Sequence, residues 1–447
     1  MRGFLASSVG VACAAALALP LTPPASAAAS PASSRTASMP AAHPAGLSGG
    51  TQSLPLTPLT RARVLGSAAS EQGLARRDVR HFSMVGVIWD DPDTALHGSV
   101  QVRTRATDSG TWSDWQDLGT HNDDAPDPDS AERTSGRVHG STAPLWVGDS
   151  DGVEVRVRAE SASRTEDTAR GTRTLTSATG LPTGLRLELV DPGEPGAGEP
   201  AGSEPVTRAG TPPEATEIPA LDLRATEQEV QALYGSELTR SQRVKPYIGP
   251  RPRIITRRGW GADEKLREKK FVYTRNVKAA FVHHTDTGNG YKCSQAASVI
   301  RGIYRYHVQS MGWRDIGYNF LVDKCGTIYE GRAGGVAKPV LGAHTLGFNT
   351  KSMGIAVLGS FGSAKPPTAA VKAIARLTAW KLGIWGGNPK GKTYLKSGGG
   401  NLYRKGKNVR LNVISGHRDG FATDCPGLQL YRKLGTTRTT AARFQGR

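Results

Sequence analysis

Ala279-Ala280-Phe281-Val282-His283-His284-Thr285 is a continuous apolar run that stops on two histidines and opens into a turn-rich segment, Thr287-Gly288-Asn289-Gly290. A short apolar run bounded by such punctuation reads as a buried strand. Beyond it the chain alternates in kind. Ser294 to Gln309 reads as a helix, with Ile300, Ile303, Tyr304 and His307 on one face at i, i+3, i+4 and i+7. Asn319 to Val322 and Thr327 to Glu330 read as strands around a turn at Asp323 to Gly326. Ser352 to Leu358 reads as a buried strand and Ala369 to Leu382 as a second amphipathic helix. Lys390 to Lys407 has the character of a hairpin, and Leu428 to Leu434 that of a final helix. Strands interleaved with helices make this an α/β domain, a mixed β-sheet flanked by helices.

Further along, Ser415 to Gly427 reads S-G-H-R-D-G-F-A-T-D-C-P-G. It sets His417 and Cys425 on one irregular loop, where an imidazole nitrogen and a thiolate sulfur can converge. Both are good zinc ligands, and catalytic zinc typically takes three protein ligands. The third belongs at a strand end in the same cleft, which is where the two histidines of the opening run stand. Side chains alternate across a strand, so only one of His283 and His284 can face the ion. Spacing alone leaves the choice open. Arg418 and Asp419 read as residues that hold the loop, and His307 as core.

The chain has four cysteines, Cys13, Cys293, Cys325 and Cys425. Cys13 lies in an N-terminal apolar run, Phe4 to Leu21, followed by Ala25-Ser26-Ala27, which reads as a cleaved secretory signal. Of the three that remain, Cys293 and Cys325 flank one helix-then-strand unit and form the natural disulfide pair. That leaves Cys425 as the odd thiol, beside His417.

Five motifs stand in order: V-H-H-T, G-W-R-D-I-G-Y-N-F, D-K-C-G-T-I-Y-E-G-R, G-A-H-T-L-G-F-N-T-K-S-M-G-I-A and S-G-H-R-D-G-F-A-T-D-C-P-G. Together they resemble the peptidoglycan recognition protein and zinc-dependent N-acetylmuramoyl-L-alanine amidase family (amidase type 2), in an actinobacterial secreted form. Arg257 to Glu264, R-R-G-W-G-A-D-E, resembles the family's entry segment. The resemblance implies that His283, His417 and Cys425 are the zinc ligands and that Tyr318 and Thr423 are catalytic. It implies that His344 and Asn349 bind substrate and that Cys293 and Cys325 form the disulfide. The implied activity is hydrolysis of the amide between N-acetylmuramic acid and L-alanine in peptidoglycan. Zinc lowers the pKa of a bound water towards about 7 and polarises a carbonyl, and a tyrosine hydroxyl can donate to the developing oxyanion. The alternative within the same fold is a non-catalytic peptidoglycan-binding protein, against which the complete ligand set argues.

The rest of the 447 residues divides by composition. Residues 1–27 read as the signal peptide and 28–78 as a disordered Ala/Ser/Pro-rich segment. From 79 to 190, M-V-G-V-I-W, G-S-V-Q-V-R-T-R, G-V-E-V-R-V-R-A-E and L-R-L-E-L-V alternate at period two, which predicts an antiparallel β-sandwich accessory domain. Trp112 and Trp115 read as scaffold rather than as a sugar-stacking surface. Residues 191–250 read as a linker with a short helix, capped by Thr226 and Glu229. The amidase domain then runs over 251–436, and 437–447 is a tail. The net charge of +18 is carried by the C-terminal half, while the N-terminal half is net acidic. A basic exported domain expects anionic wall polymers as partners beside peptidoglycan, rather than nucleic acid. No span crosses a membrane in the mature chain; the location implied is secreted, at the cell wall.

Overall fold

Period-two alternation builds the N-terminal domain. The computed structural model describes residues 49–59, 71–120, 124–168, 171–178, 180–194 and 215–447; the expected signal peptide, residues 28–48 and linker residues 195–214 lie outside them. The main strands are β1 (Thr51–Pro55), β2 (Glu71–Trp89), β3 (Gly98–Ala106), β4 (Gln116–Leu118), β5 (Leu145–Ala159) and β6 (Arg186–Val190). They pair in the order β1-β6-β2-β5-β3-β4, each pair antiparallel. Register shifts between β2 and β5 at Leu74/Arg77, Asp78/Phe82 and Phe82/Met84 bend the long strands, as bulges do. The sheet folds over itself, so Val85, Val87, Leu187 and Leu189 share a core with Val100, Val102, Val155 and Val157.

One expectation fails here. Residues 28–78 are not wholly without structure, because β1 pairs with β6 over its full length and Glu71 to Leu74 pair with β5. Leu56 is buried in the same core, with Leu54 and Leu74 packed against it; these leucines and a free sheet edge order a segment too polar to form a core alone. Trp112 and Trp115 are half-buried beneath Arg76, Arg103 and Arg156, whose guanidinium groups lie 4.0–4.8 Å above the rings.

The C-terminal sheet contains β7 (Glu217–Ile218), β8 (Ile254–Ile255), β9 (Ala279–His284), β10 (Phe320–Val322), β11 (Ile328–Glu330), β12 (Ser352–Val357) and β15 (Ile414–Gly416). Between the last two lies the hairpin β13 (Lys392–Lys396) and β14 (Asn408–Asn412). The sheet order is β7-β8-β11-β10-β12-β9-β15. The pairs β10/β12, β12/β9 and β9/β15 are parallel and β10/β11 is antiparallel, so the sheet is mixed as expected. Helices α3 (Thr368–Ile384) and α4 (Leu434–Phe444) pack Ile374, Leu377, Trp380 and Leu434 against Val282 and Ile355 on one face. Helix α2 (Ala296–Arg305) packs Val299, Ile300 and Ile303 against Leu321 and Ala356 on the other.

The expected boundaries shift. Helix α1 (Leu223–Tyr234) is capped by Asp222, whose side chain accepts from Ala225 N–H. Thr226 lies inside the helix and Glu229 pairs with Arg251, so the Thr226–Glu229 cap does not form. Val230 and Leu238 enter the α/β core, which makes the end of the presumed linker part of that domain. The presumed tail is most of α4; Ala441 is fully buried there. Both segments are polar overall, and single small or aliphatic residues at helical spacing anchor them.

The two domains share a core. Met84, Ile88, Val138 and Val190 join the cluster around α2. Tyr306 donates its hydroxyl to Thr142 O at 3.1 Å.

Candidate metal centre and groove

Strand β9 puts the two histidines on opposite faces by its alternation. Phe281 and His283 share one face; Val282 and His284 share the other. His283 Nδ1 lies 3.7 Å from Cys425 Sγ, and its ring centroid is 4.5 Å from that of His417. One ligand atom from each of His283, His417 and Cys425 lies within 4.8 Å of the other two. His284 points away, and its Nδ1 accepts from Phe361 N–H at 3.3 Å.

His417 leaves β15, the parallel neighbour of β9. Its loop is held as the sequence suggested: Asp419 accepts from Gly416 N–H at 2.9 Å and from Tyr431 OH at 2.6 Å. Arg418 N–H donates to Cys425 O at 3.1 Å, which returns the cysteine to the histidine. Thr423 is half-buried, and its hydroxyl accepts from Cys425 N–H at 3.1 Å. Cys293 and Cys325 form the expected disulfide.

The donor set fits zinc. His283, His417 and Cys425 are 0 %, 1 % and 7 % exposed. Burial pushes both imidazoles down to about 3, with a neighbouring histidine adding to it in each case, so both rings are neutral and offer lone pairs. Neither ring nitrogen of His417 has a hydrogen-bond partner, an arrangement that costs free energy unless a cation satisfies it. Around tetrahedral zinc, bonds of about 2.0 Å to nitrogen and about 2.3 Å to sulfur set an N···S edge of roughly 3.6 Å. The His283–Cys425 separation matches that edge.

Behind the ligands stands a hydroxyl that the sequence reading missed. Thr345 Oγ1 lies 3.3 Å from His283 Nε2 and 3.0 Å from His344 Nδ1. His344 is fully buried, edge-on to the His283 ring. It sits behind the candidate metal centre, beside His283. The chain Thr345–His344 engages His283 Nε2 and so orients the ring with Nδ1 towards Cys425.

Tyr318 precedes β10 and is 3 % exposed. Burial, reinforced by a carboxylate, holds its phenol well above the ordinary range, so it stays protonated. Its hydroxyl meets an acid from the other domain: Asp124 Oδ2 accepts from Tyr318 OH at 2.5 Å. Asp124 Oδ1 lies 3.0 Å from His283 Nδ1 and 3.4 Å from His417 Nδ1, with no hydrogen-bond donor of its own. Burial pushes this carboxyl up.

The same loop continues over the segment from His344 to Asn349. Asn349 Oδ1 accepts from His344 N–H and Thr345 N–H, while its Nδ2 donates to Ala125 O at 2.9 Å and Asp127 Oδ1 at 2.8 Å. Asp127 Oδ1 also accepts from Gly347 N–H at 2.9 Å. Asp124, Asp127 and Glu132 carry no local sequence signal; they sit in a run of Asp and Pro that reads as a turn.

Residues 273–428 match the family described as N-acetylmuramoyl-L-alanine amidase, and residues 31–177 match one described as Rv3811 N-terminal galactose-binding domain-like. Over 185 residues the chain is 30% identical to peptidoglycan-recognition protein SC2 of Drosophila melanogaster, covering 41% of this chain and 85% of that protein. Over 219 residues it is 31% identical to N-acetylmuramoyl-L-alanine amidase of Homo sapiens, covering 48% of this chain and 33% of that protein. The solved structure of Drosophila PGRP-LB is 26% identical, with a TM-score of 0.32, over 41% of this chain and 92% of that one.

Proposed function

We propose, for a chain that belongs to the peptidoglycan recognition protein and N-acetylmuramoyl-L-alanine amidase family, that it is a zinc hydrolase cutting the amide between N-acetylmuramic acid and L-alanine of peptidoglycan. The observation that carries this reading is the convergence of His283, His417 and Cys425 on one point, with both histidines held neutral. Zinc held there supplies a nucleophile at neutral pH and Lewis-acid polarisation of the scissile carbonyl.

The remaining work falls to side chains. Tyr318, protonated and beside His283, donates to the oxygen on which charge develops; such a donor in a dry site contributes about 10²–10³ in rate. Asn349 Nδ2 and Gly347 N–H are donors that orient the peptide's carbonyl groups along the groove. Thr345 and His344 keep the His283 ring in register. Thr423 stabilises the turn that presents Cys425 and stands at the rim beside it. The basic C-terminal half holds the enzyme on an anionic wall, in keeping with export of the chain. Among the described residues no helix is long and apolar enough to cross a membrane.

Mass spectrometry of digested peptidoglycan tests the reading. The account predicts stem peptides with a free L-alanine amino terminus, lost in Cys425→Ser. Retained binding of muropeptides with no such product from any variant would favour the recognition branch of the family.

A further inference from the structure

Three acidic residues of the N-terminal domain reach into the metal centre and its groove. Asp124 Oδ1 stands 3.0 Å and 3.4 Å from the Nδ1 atoms of His283 and His417. Around tetrahedral zinc, ligand atoms with bonds of about 2.0 Å lie roughly 3.3 Å apart. Asp124 Oδ1 therefore stands at such an edge distance from both imidazoles, with that oxygen lacking any hydrogen-bond partner. Its other oxygen takes the Tyr318 hydroxyl. One carboxylate thus spans the ion's open position and the donor meant for the scissile carbonyl.

The next residues extend the contact. Ala125 O and Asp127 Oδ1 consume Asn349 Nδ2, and Asp127 takes the N–H groups of Gly347 and Asn349. Glu132 then clamps Arg332 through two bonds of 2.8 and 2.9 Å, both side chains about 5 % exposed. His283, Tyr318 and Asn349 are left 0 %, 3 % and 1 % exposed. Among the described residues these reacting groups are thus covered, and a polymeric substrate needs access to them. The charge pattern agrees, since a net acidic half lies on a strongly basic one.

We infer that Asp124 is the fourth ligand of the metal centre and that the segment from Asp124 to Glu132 is a built-in occupant of the substrate groove, so that the folded chain is a latent form of the enzyme. The inference rests on the zinc reading of the site. A metal-bound carboxylate on a loop is displaceable, because the loop contributes hydrogen bonds and ion pairs to the groove rather than a strand of either sheet. Displacement frees the fourth position, Tyr318 and the Asn349 donors together.

The test uses the full chain loaded with Co²⁺, whose visible spectrum reports its ligands, and azide as a small anionic probe of an open position. Wild type is expected to show no azide-dependent spectral change at concentrations that saturate Asp124→Ala and Asp124→Asn. The asparagine variant keeps the loop's shape and guards against a folding defect in the alanine one. Equal azide titration of wild type and both variants would overturn the inference. With zinc, Asp124→Ala is expected to release stem peptides at least tenfold faster than wild type. Equal rates in two active proteins would also overturn it. Should azide distinguish the proteins while none hydrolyses peptidoglycan, the closed metal centre stands and the amidase reading falls.

Discussion

Glu132 and Arg332, 200 residues apart, form a bidentate ion pair in which both side chains are buried and each oxygen of the carboxylate meets one guanidinium nitrogen. Arg332 also donates to Ile316 O at 2.8 Å, so its planar fork is fully engaged. Removing one partner of a buried pair leaves the other charge without compensation and costs about 3–5 kcal/mol. Glu132→Ala should lower the urea midpoint accordingly, while Glu132→Ala with Arg332→Met should recover much of the loss. A single variant with unchanged stability would mean that the loop is not seated as described.

Thr345→Val replaces the hydroxyl between His283 Nε2 and His344 Nδ1 with a methyl of similar shape. Groups that orient a ligating histidine are typically worth 10–100-fold in metal affinity. Competition with a chelator of known strength should show zinc affinity falling by about that factor, with the fold intact by circular dichroism.

Tyr318→Phe keeps the ring against His283 and removes the donor. Measured in the Asp124→Ala background, where the hydroxyl is released from its carboxylate, hydrolysis should fall by about 10²–10³ with little change in muropeptide affinity. A comparable loss of binding would assign Tyr318 to substrate capture instead.

His307 gives the stability curve a defined acid limb. Burial, with Arg332 adding to it, pushes its imidazole down to about 3, and its Nδ1 accepts from Gly317 N–H at 3.1 Å. The unfolded chain takes up the proton near pH 6.5 and the folded chain only near 3. Stability from this residue is therefore present above about 6.5 and is lost as pH falls, by roughly 2 kcal/mol at pH 5. His307→Asn preserves the acceptor without the titration. The stability gap between wild type and variant should narrow by that amount from pH 7 to pH 5 in urea titrations.

Much of the C-terminal domain was legible because its signals are local. The apolar run ending at His283, the helical face of Ile300, Ile303 and Tyr304, and the loop carrying His417 and Cys425 each read correctly from spacing. The choice of His283 over His284 needed the strand's register, which is set by the face that packs on α3. Thr226 misled because its hydroxyl bonds back to Asp222 O inside the helix, and an interior threonine followed by glutamate mimics a cap. The presumed tail and linker misled because Val230, Leu238 and Ala441 anchor polar segments through contacts distant in sequence. Asp124 had no legible role for the same reason taken further. Its meaning lies in residues 159 to 293 positions away, and an Asp–Pro run looks like any turn. The faint available signal was the acidic half opposite the basic one.

In the proposed function and in the inferred latency alike, the central element is one ion held by His283, His417 and Cys425. X-ray absorption at the zinc edge on the full chain reads that centre directly. The account predicts one sulfur at about 2.3 Å and three nitrogen or oxygen ligands at about 2.0–2.1 Å, with the sulfur lost in Cys425→Ser. A zinc environment without sulfur in the wild-type chain, or no stoichiometric zinc at all, would contradict it.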